Sequence, residues 1–149
     1  EIASCLVGSE MCIRDREEAK AEISAEDYMR AEYVIEEIQR VLDVCDALEK
    51  GDYETVGQKM YETHQGMSKL YEVSCEELDF LNDCAKEYGV TGSRVMGGGF
   101  GGCIVALVKT EDVDKVAQEL LQAYCQETGI ETTYLVTSAG EGARVLYQA

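Results

Sequence analysis

The segment "RVMGGGFGGCIVALV", residues 94–108, sets Gly97, Gly98, Gly99, Gly101 and Gly102 around Phe100, between two short apolar runs. Glycine loses more backbone freedom on folding than any other residue, and a hairpin turn needs only one or two. The surplus marks a candidate site. Such a loop exposes backbone N–H groups with no Cβ atoms in the way. A concave run of these donors can hold an anion, and a ligand or second loop can approach closely. A glycine-rich hairpin with no ligand is an equal alternative on residue chemistry alone. Around the loop, Arg94 could reach a phosphate, against the competing expectation that it pairs with one of the many carboxylates. Phe100 is either a sugar-stacking platform or, by preference, a plug that pins the loop to the core. Ser93 is expected to bond a neighbouring backbone group, and Met96 is a further supporting residue. His64, the one histidine, lies on an apolar helical stripe and reads as a packed, hydrogen-bonded core residue rather than a base. No pair of carboxylates is set up as acid and base.

Gly97, Gly99 and Gly102 satisfy G-x-G-x-x-G. A dinucleotide fingerprint needs a helix straight after the loop, so that the pyrophosphate meets a helix N-terminus. An apolar, β-branched run follows here, which excludes that site. No Gly-Lys-Ser/Thr occurs, which excludes a P-loop. Protein kinases use a glycine loop between strands, but their lysine, H-R-D and D-F-G elements are missing.

The elements that must position this loop follow from periodicity. A helix starts at Ala25 and stops at Gly51, with an inward stripe of Ala31, Val34, Ile35, Ile38, Val41, Leu42, Cys45 and Leu48. A second runs from about Asp52 to Leu70, on Tyr53, Val56, Met60, Thr63/His64, Met67 and Leu70. Gly57 and Gly66 each cost it about 1 kcal/mol relative to alanine, so it needs tertiary packing or a close neighbour there. Ser74 and Glu77 have capping-box spacing, opening a third helix with Leu78, Leu81, Cys84, Ala85 and Tyr88 inward and Gly89 as its stop. "GSRVM" and "CIVALV" read as strands, the second buried on both faces or central. Thr110 caps a fourth helix with a stripe of Val113, Val116, Ala117, Leu120, Leu121 and Tyr124, ending at Gly129. "ETTYLVT" reads as a third strand and "ARVLY" as a short fourth. The class is α+β: three helices, then β-loop-β-α-β, with helices on one face of a mainly antiparallel sheet.

The chain has 149 residues, enough for one domain with a core, and a net charge of -17. That balance argues against general affinity for nucleic acid or an anionic membrane. No apolar run reaches the roughly 20 residues of a membrane span. Seven cysteines with no C-x-x-C pair and one histidine argue against zinc. Reduced, buried thiols in a cytoplasmic protein are the expectation.

"YEVSCEELDFL" (71–81), "GSRVMGGGFGGCIVALV" (92–108) and "TGIETTYLVTSAGEGARVL" (128–146), in this order and spacing, resemble the C-terminal part of the galactokinases, within the GHMP kinase superfamily. "RAEYVIEEIQRV" and "ALEKGDYETVGQKMYETHQGMSKLYEVS" look like the helical stretch before that family's third motif, which Ser93 to Cys103 match. Glu32-Tyr33, Thr63 and Ser138 depart from the family's usual residues. The resemblance covers about residues 25–149 and implies a ferredoxin-like GHMP kinase C-terminal domain over 17–149. It also implies a parent enzyme that moves the γ-phosphoryl group of ATP, with Mg²⁺, to the anomeric hydroxyl of galactose. Gly97 to Gly102 would line its substrate and nucleotide region. The family's sugar signature, ATP loop and catalytic residues match no segment here. The chain is therefore expected to be a fragment that does not turn over and binds no cofactor tightly. A non-catalytic sugar-sensing or regulatory module and a kinase for a related sugar are the alternatives. Residues 1–16 match nothing in the family and look like a translated sequencing-adapter stretch, a non-native leader.

Overall fold

A computed structural model describes residues 20–140. The expected leader, 1–16, and the "ARVLY" strand lie outside them. Helix α1 spans Ala25–Lys50 and opens on Ser24, whose hydroxyl oxygen accepts from the Asp27 N–H. Helix α2 spans Tyr53–Lys69, capped by Asp52 through the Thr55 N–H. Gly51, in left-handed backbone with φ 69°, turns the chain between them. Helix α3 spans Glu76–Glu87, and strands β1 (Gly92–Val95) and β2 (Ile104–Leu107) follow. A 3-10 turn, Thr110–Asp112, leads into helix α4, Val113–Thr128.

The two strands pair antiparallel, Gly92 opposite Leu107 and Val95 opposite Ile104. Helix α2 lies along β1, and its glycines explain how closely. A Cβ on Gly57 would sit 1.9 Å from the Thr91 carbonyl oxygen, and one on Gly66 would sit 2.5 Å from the Tyr33 ring. The two positions unfavourable for an isolated helix are thus where a strand end and an aromatic ring enter. Tyr33, Met67, Val73, Leu78 and Val95 form the main core, and Ala85, Val90 and Val116 a second cluster joining α3 to α4.

Several expectations are corrected. Helix α1 does not bury its apolar stripe: Val34, Val41, Leu42, Cys45 and Leu48 are exposed. It meets α2 through a mixed face instead. Tyr33 fills the space at Gly66, the Thr63 hydroxyl donates to the Glu37 carboxylate at 2.9 Å, and Asp43 reaches Lys59 at 3.3 Å. Ala47 is buried on the same side. On α2, Tyr53 is exposed, and on α3, Tyr88 caps the C-terminus half-exposed rather than packing inward. The S-x-x-E box does not form, because Cys75 occupies the N-cap and makes no side-chain cap bond. Thr110 opens the 3-10 turn rather than capping α4.

Residues 131–137 form no strand and are exposed throughout, Leu135 at 92%. The described sheet therefore has two strands, and β2 is half-buried with Ala106 exposed, not central. A strand can be buried on both faces only when neighbours and layers surround it, and β2 has one neighbour. The five described cysteines are free thiols, but only Cys84 is buried.

Candidate functional site

The loop between β1 and β2 is closed at its base by the Met96 N–H, which donates to the Cys103 carbonyl at 2.9 Å. Gly97, Gly99, Gly101 and Gly102 have φ of 79°, 84°, 111° and 94°. Those values lie where L side chains are strained, so at these four positions glycine is a backbone requirement. Gly99 meets a second constraint, because a Cβ there would lie 2.0 Å from the Val73 carbonyl oxygen. That oxygen accepts the Phe100 N–H at 2.6 Å. The loop is thus seated on the connector between α2 and α3.

The connector is itself held. The Arg30 guanidinium donates to the Leu70 carbonyl at 2.5 Å and pairs with the Glu72 carboxylate. The hydrogen bond to the Glu72 carboxylate raises the Arg30 pKa and holds the guanidinium in its charged form. The Val73 N–H donates to the Met67 carbonyl, and the Tyr33 and Tyr71 rings stand 5.2 Å apart. A chain of contacts therefore runs from α1 through the connector to the middle of the glycine loop.

On its other side the loop is open. A Cβ on Gly97, Gly98, Gly101 or Gly102 would meet nothing within 4 Å. Among the described residues, the amides of the five loop glycines donate to no protein acceptor. Unsatisfied donors on an exposed, Cβ-free surface can donate to a carbonyl, hydroxyl or phosphate oxygen at little steric cost.

Phe100 does not plug the core. It is 79% exposed with φ 60°, so the ring stands outward on a strained backbone fixed by the Val73 bond. Met96 is also exposed. Arg94 makes no ion pair among the described residues; its one hydrogen bond goes to the neighbouring Val95 carbonyl. The expectation of a carboxylate partner therefore fails; burial pushes the pKa of the Tyr33 phenol on α1 up, and this half-buried side chain lies near enough to pull it, more weakly, the other way. Ser93 is fully buried with its hydroxyl unpaired among the described residues, so it does not bond a neighbouring backbone group.

Sequence reasoning placed His64 in the core but not its partners. Its Nδ1 accepts the Val95 N–H at 3.2 Å, and its Nε2 lies 3.1 Å from Asp79. The Ser68 hydroxyl donates to the other Asp79 oxygen at 2.6 Å. The capping-box spacing points to Glu77, while the carboxylate of that turn that meets His64 is two residues on. A groove of about 710 Å³ between α2 and α3, lined by Tyr61, Gln65, Asp79 and Lys86 among others, excludes residues 96–102. No cluster of three potential metal ligands occurs among the described residues. None of the described helices is long and apolar enough to cross a membrane.

Comparison with known proteins places this architecture. The family "GHMP kinases C terminal" matches residues 44–127. The galactokinase of Thermotoga petrophila is 40% identical over 116 residues, 77% of this chain and 33% of that protein. The galactokinase of Bos taurus is 40% identical over 139 residues, 93% of this chain and 34% of that one. The chain thus spans about a third of the length of these relatives. Among solved structures, Lactococcus lactis galactokinase complexed with galactose superposes with a TM-score of 0.70 and 30% identity, over 78% of this chain and 31% of its own. L. major mevalonate kinase in complex with R-mevalonate shares the fold alone, with a TM-score of 0.59 at 24% identity over 80% of this chain and 36% of its own. With its helices, its small antiparallel sheet and its glycine loop, the chain belongs to the GHMP kinase C-terminal family and is galactokinase-like over that length.

Proposed function

We propose that this domain forms one wall of a galactokinase site, the rest being supplied by the portion of such an enzyme that lies outside the matched third. The reaction is transfer of the γ-phosphoryl group of ATP to the anomeric hydroxyl of galactose. The observation that carries this reading is the outward glycine loop, with free amides and open space at Gly97, Gly98, Gly101 and Gly102. In the whole enzyme ATP would supply the phosphoryl group, and Mg²⁺ would supply charge neutralisation.

The residues present fit the anionic or hydroxyl oxygens of those substrates, through neutral amide donors. They do not fit a metal, since the described residues include no ligand cluster; no step here is assigned to one. What this chain contributes is position. Donors fixed in advance cost no reorganisation when charge develops nearby. Arg94, without a carboxylate partner, is the cation nearest the loop in sequence and adds positive charge beside it. The exposed Phe100 ring offers an apolar face against which a sugar or base can stack.

The test is reconstitution. The chain alone, given galactose and Mg-ATP, is expected to show no phosphorylation and no heat of binding by calorimetry. Fused behind the N-terminal two thirds of the Thermotoga petrophila galactokinase, it should support galactose-dependent ADP release. Tight binding of either ligand to the chain alone would instead favour a sugar-sensing module. A fusion that phosphorylates a related sugar but not galactose would overturn the assignment of substrate.

A further inference from the structure

The polar cluster beneath the loop has a geometry that packing alone does not require. In the β1–β2 ladder the Met96 N–H points to β2, so the amide of the residue before it, Val95, points away from the partner strand. It would be an orphan donor in a residue that is fully buried. His64 on α2 receives it through Nδ1 at 3.2 Å. An imidazole that accepts at Nδ1 must carry its proton at Nε2, where Asp79 on α3 lies at 3.1 Å. Asp79 is in turn fixed by the Ser68 hydroxyl at 2.6 Å, with the Lys69 ammonium at 3.6 Å.

We propose that His64 and Asp79 are a positioning pair for the glycine loop. Asp79 holds the neutral imidazole in its Nε2–H tautomer, and that tautomer fixes the amide at the point where the loop leaves β1. This rests on the galactokinase reading for its catalytic consequence, though not for its geometry. Two anchors then set the loop: His64 at its first residue and the Val73 carbonyl at Phe100. Protonating His64 would set an Nδ1–H against the Val95 N–H, two donors facing each other, and would release the first anchor. The charged groups facing the ring are Asp79 and Asp83 from α3 and Lys69 from α2, while β1 presents the amide. Burial favours the neutral ring over the pull of the two carboxylates, and the imidazole pKa is lowered.

The chain has a single histidine, so one imidazole is visible in long-range proton–nitrogen NMR spectra of the labelled chain. At pH 7.5 it should be the Nε2–H tautomer alone. In His64→Asn the side-chain oxygen can replace Nδ1 as acceptor, and the amide signals of residues 95–102 should stay near their parent positions. In His64→Gln, whose amide group lies at the Nε2 position, those signals should move. Exchange of the Val95 amide should then quicken by about tenfold, the loss of roughly one net hydrogen bond. Signals from α4 should not change in either variant. An Nδ1–H tautomer, or a Gln variant whose loop signals match the parent, would overturn the pairing; both readouts hold even if one variant fails to fold. In the fusion enzyme, His64→Gln should raise substrate KM several-fold, and His64→Asn should recover most of it. An inactive parent fusion would sink the galactokinase reading and leave the tautomer result standing. An active fusion indifferent to His64→Gln would sink the positioning role alone.

Discussion

At the scale of the residue, the loop glycines are not equivalent, although the sequence writes them alike. Gly98 has ordinary φ and empty space around it, Gly97 has φ 79° with empty space, and Gly99 has φ 84° with the Val73 oxygen 2.0 Å from its missing Cβ. Alanine at these positions should therefore grade. Gly98→Ala is expected within about 0.5 kcal/mol of the parent. Gly97→Ala should cost about 1–2 kcal/mol for left-handed backbone. Gly99→Ala should cost more than either, because the backbone that it meets is bonded to Phe100. Urea unfolding of the three variants measures the order, and a Gly99 variant as stable as Gly98→Ala would contradict the seat on Val73. His64 adds a pH dependence. Its pKa is lowered on folding, so the folded state binds fewer protons than the unfolded one. Its contribution is complete above the ordinary histidine value of about 6.5 and is lost as pH falls through the lowered folded value. Asp79, also lowered, acts in the same direction but near carboxylate pH: burial opposes its charge, and the Ser68 hydroxyl and Lys69 outweigh it. Stability of the parent should fall from pH 7 to 5 more steeply than that of His64→Asn.

At the scale of the element, α2 is the piece on which the others are registered. It carries Gly57 against the start of β1, Gly66 against Tyr33, and His64 against the end of β1. The Tyr61 hydroxyl donates to the Val90 carbonyl at 2.9 Å, and its burial pushes its pKa up to about 12. In an exposed helix, Gly→Ala gains about 1 kcal/mol. Here Gly57→Ala should lose stability by about 1–3 kcal/mol, the usual range for overpacking, since a strand-end carbonyl cannot retreat as a flexible side chain can. Helix α1 gives the opposite contrast. Tyr33→Ala, emptying the space at Gly66, should cost about 3–5 kcal/mol. Val41→Lys, on the exposed stripe, should change the stability of this chain by less than about 0.5 kcal/mol. If Val41→Lys proves as damaging as Tyr33→Ala, the helix is rotated from the face described.

At the scale of the whole molecule, exposed apolar side chains among the described residues include the α1 stripe and residues 130–136, besides Met96 and Phe100 on the loop. Exposed apolar area of this kind favours association. The isolated chain should sediment with a concentration-dependent mass, despite a net charge of -17 that opposes self-contact. Val41→Lys combined with Leu135→Lys should return it to a monomer. A monomer at all concentrations for the parent would show that these surfaces are too dispersed to act together.

Helix spans, the stops at Gly51, Gly89 and Gly129, and the change of period at β1 and β2 were legible in the residues. Each follows from local geometry: side-chain spacing, missing Cβ atoms and β-branching. The glycine cluster marked a candidate site for the same reason, since five residues of low propensity have no local justification. What α1 buries was decided by tertiary structure. A stripe of valine and leucine yielded to Tyr33, Glu37 and Asp43, because those reach a space, a hydroxyl and an ammonium offered only by α2. The same holds for His64, whose donor comes from 31 positions along and whose carboxylate comes from 15. The alternation of "ETTYLVT" implied a strand, but pairing needs a partner edge, and spacing along one chain carries no information about whether that edge is within reach.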